Sequence, residues 1–191
     1  MNQYCYFVAG VVGEMLTELF CDYSGAIDRH KPQLMKLSVS FGQGLQMTNI
    51  LKDIWEDRQR GACWLPQEIF DQHGFNLIDL TPGMTDEKFQ AGLAELLGIA
   101  KNHLRNAMMY THLIPPEEVG IRRFCLWAIG MAILTLNKIN QNQSFSKGAQ
   151  VKINRRSVKA TIIATSLLAR YNWALDVLFR FTSRDLPDPG S

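Results

Sequence analysis

Residues 42–66 read GQGLQMTNILKDIWEDRQRGACWLP. The spacing is that of a helix, and at about 100° per residue its polar groups fall on one narrow arc. Measured from Asn49, Gln46 lies at about 60°, Asp53 at about 40° and Asp57 at about 80°. Met47, Ile50, Leu51 and Ile54 lie roughly 100–200° round, so the helix has an apolar side for packing and a polar stripe beside it. Two carboxylates at i and i+4 repel by roughly 0.2–0.5 kcal/mol when exposed. A hard cation reverses that sign, and Mg²⁺ is commonly held by one or two carboxylates together with substrate phosphates. Lys52, Arg58 and Arg60 would neutralise further phosphate charge. The same spacing equally describes a solvated acidic face paired with nearby Lys and Arg.

Helical periodicity continues outward on both sides, with no sustained alternation of period two. Residues 3–20 predict a helix on which Ala9, Gly10 and Gly13 permit a close neighbour. Pro32 suits the first turn of a second helix running to about Asp57. Arg58–Cys63 predicts a basic turn, Pro66–His73 a short helix and Asn76–Gly83 a loop. Thr85 is the expected cap of a helix reaching about Met109, with Asp86 and Glu87 favouring its dipole. Another helix is expected from Pro115–Glu118 to about Asn140. After a polar loop, Asn154 caps a last long helix to about Phe181, and the tail LPDPGS is expected to fray. The result is an all-α chain of five long helices and a short one, expected as a single domain over residues 1–191.

The bulk composition excludes several classes. With 191 residues and 47% hydrophobic content the chain can bury a core and is not disordered. A net charge of +2 gives no footprint for nucleic acid. The basic residues cluster locally, at Arg58–Arg60 and at Lys152, Arg155 and Arg156, which suits a small anion; a solvated basic loop fits the latter cluster equally. Cys5, Cys21, Cys63 and Cys125 form no Cys-x-x-Cys pair, and the four histidines have no ligand spacing, which argues against zinc. A reduced, cytoplasmic chain is the expectation. The start of the chain has no signal-peptide pattern. The longest apolar run, CLWAIGMAILTL at 125–136, is shorter than the roughly 20 residues a bilayer requires. No transmembrane segment is expected, which leaves peripheral membrane association open.

The string LQMTNILKDIWEDRQRGACWLPQEIF resembles the second aspartate-rich motif of the squalene and phytoene synthase family. YCYFVAGVVGEMLT resembles that family's Tyr-Cys-x-x-Val-Ala-Gly segment. FCLWAIGMAILTL followed by VKINRRSVKATI resembles the downstream part of squalene synthases more than that of phytoene synthases. The resemblance implies an all-α, isoprenoid-synthase-type bundle around an apolar cavity, and a prenyltransferase that joins two isoprenyl diphosphates head to head. For squalene synthases it implies farnesyl diphosphate as substrate, Mg²⁺, and reduction by NADPH; phytoene and dehydrosqualene synthases finish without reduction.

Carried over residue by residue, the resemblance makes Asp53 and Asp57 metal ligands. Gln46, Asn49, Lys52 and Arg58 fall near diphosphate. Tyr4 is implied in proton transfer near the departing diphosphate, and Phe124 as an aromatic near a carbocation. Val8 and Ala9 match cavity-wall positions, while Lys152 and Arg155 fall where a basic segment meets phosphate or NADPH. Glu14 and Glu18 also stand at i and i+4, but within the tyrosine segment, and are read as an exposed or locally paired face. The family's first Asp-x-x-x-Asp motif is not found in these 191 residues. The expectation is therefore the C-terminal portion of a synthase domain, incomplete at its N-terminus and inactive or nearly so by itself. The missing half as a separate partner chain, or a non-catalytic prenyl-diphosphate-binding subunit, are the alternatives.

Overall fold

A computed structural model describes residues 1–188; the last residues of the tail expected to fray, 189–191, lie outside them. Besides the single turn Gly25–Asp28, the helices are α1 (Asn2–Tyr23), α2 (Lys31–Lys52), α3 (Ile54–Gln59), α4 (Gln67–Gln72), α5 (Glu87–Leu113), α6 (Val119–Gln141), α7 (Arg155–Leu168) and α8 (Asn172–Ser183). Among the described residues there is no strand. Within α1, Tyr6–Gly10 is wound as a π-helix, a local form that often marks functional segments.

Local chemistry explains most boundaries. Pro32 sits in the first turn of α2, and the Asn154 side chain accepts the Ser157 amide at 2.8 Å to start α7. α5 runs on to Leu113, past its expected end near Met109, and three further differences have a visible cause. Asp86, rather than Thr85, caps α5, its carboxylate accepting from Lys88 N and Phe89 N at 2.8 and 3.0 Å. The second helix breaks at Asp53, whose φ of −101° and ψ of 17° interrupt it before α3. The last helix is two, because the chain turns at Ala169–Tyr171. That turn is held by Arg122, fully buried, which donates to Ala169 O, Thr111 O, Ile114 O and Asn172 Oδ1. The tail is tied as far as it is described: Leu186 is buried and Lys101 Nζ donates to Leu186 O and Asp188 Oδ1 at 2.9 Å.

The core forms where α2, α5 and α6 meet. Phe89, Leu93, Leu96, Leu97, Ala100, Leu104 and Ala107 of α5 repeat at helical spacing and are buried. Each fully buried Leu or Phe contributes about 1.5–3 kcal/mol. α1 crosses α2 at backbone contact. A Cβ on Gly13 would lie 2.3 Å from Ser38 O, and one on Gly42 2.2 Å from Ala9 O. By length and composition alone α1 and α6 each reach the span of a bilayer core, which the uninterrupted run 125–136 had not suggested. α6 is nonetheless a core helix here, with Cys125, Ile129, Ile133, Leu136 and Ile139 buried. Two apolar faces remain exposed: the outer side of α1, with Phe7, Met15 and Leu19, and a stripe along α7 and α8.

Candidate active site

The close α1–α2 crossing leaves an apolar cavity of about 180 Å³ beside it. Val8, Ala9, Val12, Leu16 and Phe20 of α1 form one wall, and Phe41, Gly42 and Leu45 of α2 another. Phe124, Cys125 and Ala128 of α6 close a third side. Phe20 and Phe124 meet edge to face with centroids 6.3 Å apart. Val8, Val12 and Phe124 remain exposed to solvent, so the cavity is walled incompletely. Of the residues singled out in the sequence, Val8, Ala9, Gln46, Asn49 and Phe124 line this one space.

Tyr110 of α5 also lines it and was not singled out. Its hydroxyl lies 2.9 Å from Thr17 Oγ1. Thr17 spends its own proton on Gly13 O at 2.8 Å, so Tyr110 is the donor. Burial raises the Tyr110 phenol well above its usual range, outweighing the Thr17 hydrogen bond. It is a neutral donor and not a base. Burial also pushes the Cys125 thiol up to about 12, which keeps it an inert wall group. The sequence signal for Tyr110 was a single hydroxyl-bearing ring on an otherwise apolar helix face.

Gln46 and Asn49 stand where α2 passes from the cavity wall to the carboxylates. One turn further, the backbone amide of Asp53 still bonds to Asn49 O at 2.9 Å, and then the helix breaks. The Asp53 carboxylate is 3.2 Å from Lys52 Nζ. Asp57 makes only a loose pair with Arg60 at 3.8 Å. The single turn Gly148–Gln150 presses on this break. Gly148 N donates to Glu56 Oε1 at 2.9 Å, and a Cβ on Gly148 would lie 2.9 Å from Lys52 O and 3.3 Å from Asp53 Oδ1. The other Glu56 oxygen is buried without a hydrogen-bond partner. Glu56 thus joins the break to the loop carrying Lys152, a role that spacing along one helix does not reveal.

The remaining candidates lie outside the cavity lining. Arg58 donates to Leu77 O at 3.1 Å and Ile78 O at 2.8 Å, so its guanidinium tethers a loop. With Asp57 it borders a separate small hollow beside Cys63 and Trp64. Tyr4, one turn before Val8, stacks on Trp64 at 3.9 Å with 14° between the rings. Lys152 and Arg155 are exposed, just beyond the Gly148–Gln150 turn. Glu18 pairs with Lys31 at 2.5 Å and Glu14 accepts from Tyr6 at 3.3 Å, a locally paired face as expected.

For a magnesium ion the donor type fits. Asp53 and Asp57 offer hard carboxylate oxygens, two members of an oxygen set that phosphates would complete. Among the described residues no three His, Cys, Asp or Glu side chains gather as a metal site. An all-helical bundle around an apolar cavity, one wall of which leads along α2 to Asp53, belongs to a class: the all-α isoprenoid-synthase fold.

Comparison with known proteins narrows this. The family model for squalene/phytoene synthase matches residues 1–157. The chain is 35% identical over 155 residues to "Squalene synthase ERG9" of Gibberella zeae, covering 80% of this chain and 32% of that protein. It is 34% identical over 170 residues to the squalene synthase of Homo sapiens, covering 88% of this chain and 40% of that one. A solved structure described as the complex of TcSQS with ligand BPH1237 superposes with a TM-score of 0.65 at 21% identity, over 97% of this chain and 60% of that one. The chain belongs to the squalene/phytoene synthase family. It spans about a third to two-fifths of the length of those relatives.

Proposed function

We propose that this chain forms the apolar cavity and one carboxylate pair of an enzyme that condenses two farnesyl diphosphates to presqualene diphosphate and then squalene. The observation that carries the reading is the run of α2 from the cavity to its break: Gln46 and Asn49 line the apolar cavity, and Asp53, at the break, follows one turn after Asn49. A prenyl tail among Val8, Ala9, Val12 and Ala128 is stabilised by about 0.8 kcal/mol per buried CH₂. Its diphosphate then lies at the mouth, where Gln46 and Asn49 donate amide N–H groups. Asp53 and Asp57 would hold Mg²⁺, which when bound assists diphosphate departure as a Lewis acid. Lys52 adds positive charge beside them. Phe20 and Phe124 offer π faces to a cationic carbon, and the apolar walls keep water from it.

Tyr4 exchanges a proton near the departing diphosphate, its ring steadied by Trp64. Lys152 and Arg155 would hold the phosphate groups of NADPH, which would supply the hydride for the second half-reaction. Neither makes an ion pair among the described residues. Arg155 stands in the first turn of α7, where a bound anion also meets the helix dipole. The exposed outer face of α1 is then covered by the part of the synthase length that these residues do not span, and the chain alone turns over little.

The test is product analysis from farnesyl diphosphate and Mg²⁺, with and without NADPH. It is run on the chain alone and on the chain mixed with the N-terminal part of a squalene synthase. NADPH-dependent squalene from the mixture is expected. Efficient squalene formation by the 191 residues alone contradicts the need for a covering part, and an NADPH-independent product points to the phytoene or dehydrosqualene branch.

A further inference from the structure

The exposed stripe on α7 and α8 is absorbed by no part of the reading above. On α7, Ile163 and Leu167 share an arc of about 80° with Arg156 and Lys159. On α8, Trp173, Val177 and Phe181 recur every fourth residue, with Arg180 at the edge of their arc. Tyr171 joins the two at the turn. All six apolar side chains are exposed, Trp173 and Leu167 at 72% and Phe181 at 64%. The stripe lies almost wholly beyond residue 157, where the family match ends.

The charge of this segment differs from that of the rest. Residues 155–184 hold six of the chain's 20 Lys and Arg but one of its 18 acids. The remaining residues carry 14 basic against 17 acidic groups and are net negative. Among the described residues, Arg156, Lys159, Arg170 and Arg180 make no ion pair. The one acid, Asp176, faces His112 at 3.6 Å. Aromatic and aliphatic side chains edged by unneutralised cations are the pattern of a helix lying in a membrane interface. The other exposed apolar face contrasts with it. Residues 1–23 hold Glu14, Glu18 and Asp22 and no Lys or Arg, which suits a protein cover and not an anionic surface.

We propose that α7 and α8 form a peripheral docking surface for anionic lipid bilayers, with Trp173 and Phe181 inserted at the headgroup level and the basic residues against lipid phosphates. The surface is independent of the cavity and its chemistry, so failure of one reading leaves the other standing.

Vesicle co-sedimentation of the 191-residue chain tests this, with phosphatidylserine-rich and pure phosphatidylcholine vesicles. Binding is expected to the anionic vesicles, falling with added salt. Lys159→Gln and Arg180→Gln should each weaken it about fivefold. Trp173→Gln with Phe181→Gln should weaken it about tenfold or more, since both anchors are lost. The emission of bound protein should shift to the blue, and Trp173→Phe should remove that shift while retaining binding. These side chains are exposed, so circular dichroism should be unchanged; should the double apolar variant misfold, the charge variants and the emission shift still decide. Vesicle binding unaltered by these substitutions overturns the proposal. So does binding lost instead through Phe7→Gln and Leu19→Gln on α1, or a stripe whose only partner is a second copy of the chain, seen as a dimer that the α8 variants dissociate without any lipid binding.

Discussion

Replacing Gly42 by Ala tests whether the cavity wall is set by backbone contact between α1 and α2. The added Cβ would lie 2.2 Å from Ala9 O and 2.5 Å from Ala9 C, against ordinary contact beginning near 3.4 Å. The helices must part by about 1 Å, because the obstructing atoms are backbone and cannot rotate away. Overpacking of this kind costs about 1–3 kcal/mol, and a backbone neighbour places it in the upper half. Removing a glycine from a helix interior returns about 0.8–1.0 kcal/mol. The net loss is then about 1–2 kcal/mol, or a fall of roughly 2–8 °C in Tm for a chain of this size. Gly120→Ala is the control, since nothing lies within 4 Å of its Cβ position; it should show no loss. Urea and thermal unfolding of the two variants measure the difference. A Gly42→Ala protein as stable as the parent, with an unchanged m-value, would refute the argument.

Two further outcomes follow from buried groups. Arg122→Met removes the side-chain donor of Ile114 O, Ala169 O and Asn172 Oδ1 and leaves Thr111 O with the Ile114 amide alone, and should cost roughly 3 kcal/mol or more in denaturant titration; a loss under about 1 kcal/mol would show that these acceptors find other partners. Stability should also fall on acidification. Burial holds His103 below its ordinary value, and burial with Arg122 does the same for His112 against the opposing pull of Asp176. A histidine with a lowered folded pKa binds protons more readily when unfolded, so its contribution is present above about pH 6.5 and is lost as pH falls below it. The slope should approach at most about 1.4 kcal/mol per pH unit per histidine, and His103→Gln should flatten it. A flat pH profile from 7 to 5 would contradict the burial of both rings.

The all-α class and most helix positions were legible because apolar residues recur at helical spacing and Pro32 and Asn154 mark starts. What escaped depended on contacts distant in sequence. No local signal tells that Arg122 holds the Ala169–Tyr171 turn, so the last helix read as continuous. The break at Asp53 is likewise invisible in helical angles, which assume an unbroken axis; Gly148, 95 positions on, is packed into it. Val8, Ala9 and Phe124 came from motif resemblance and Gln46 and Asn49 also from their shared helical arc, and the fold brings all five to one cavity. Arg58 shows the opposite case. Its type and position suggested phosphate, and in the fold two of its five N–H groups go to Leu77 O and Ile78 O, outside the cavity lining. Tyr110 and Trp64 were overlooked because an aromatic on an apolar helix, or in a turn, reads as packing until its neighbours are known.

The central claim is that Asp53 and Asp57 bring Mg²⁺ and a prenyl diphosphate together at the cavity mouth. Calorimetric titration of the chain with a non-reactive farnesyl diphosphate analogue, with and without Mg²⁺, tests it most directly. Mg²⁺ should strengthen binding, and Asp53→Asn should remove that gain, about 10–100-fold, with circular dichroism unchanged. An analogue that binds Asp53→Asn with the same Mg²⁺-dependent affinity, or that binds neither protein, would contradict the account.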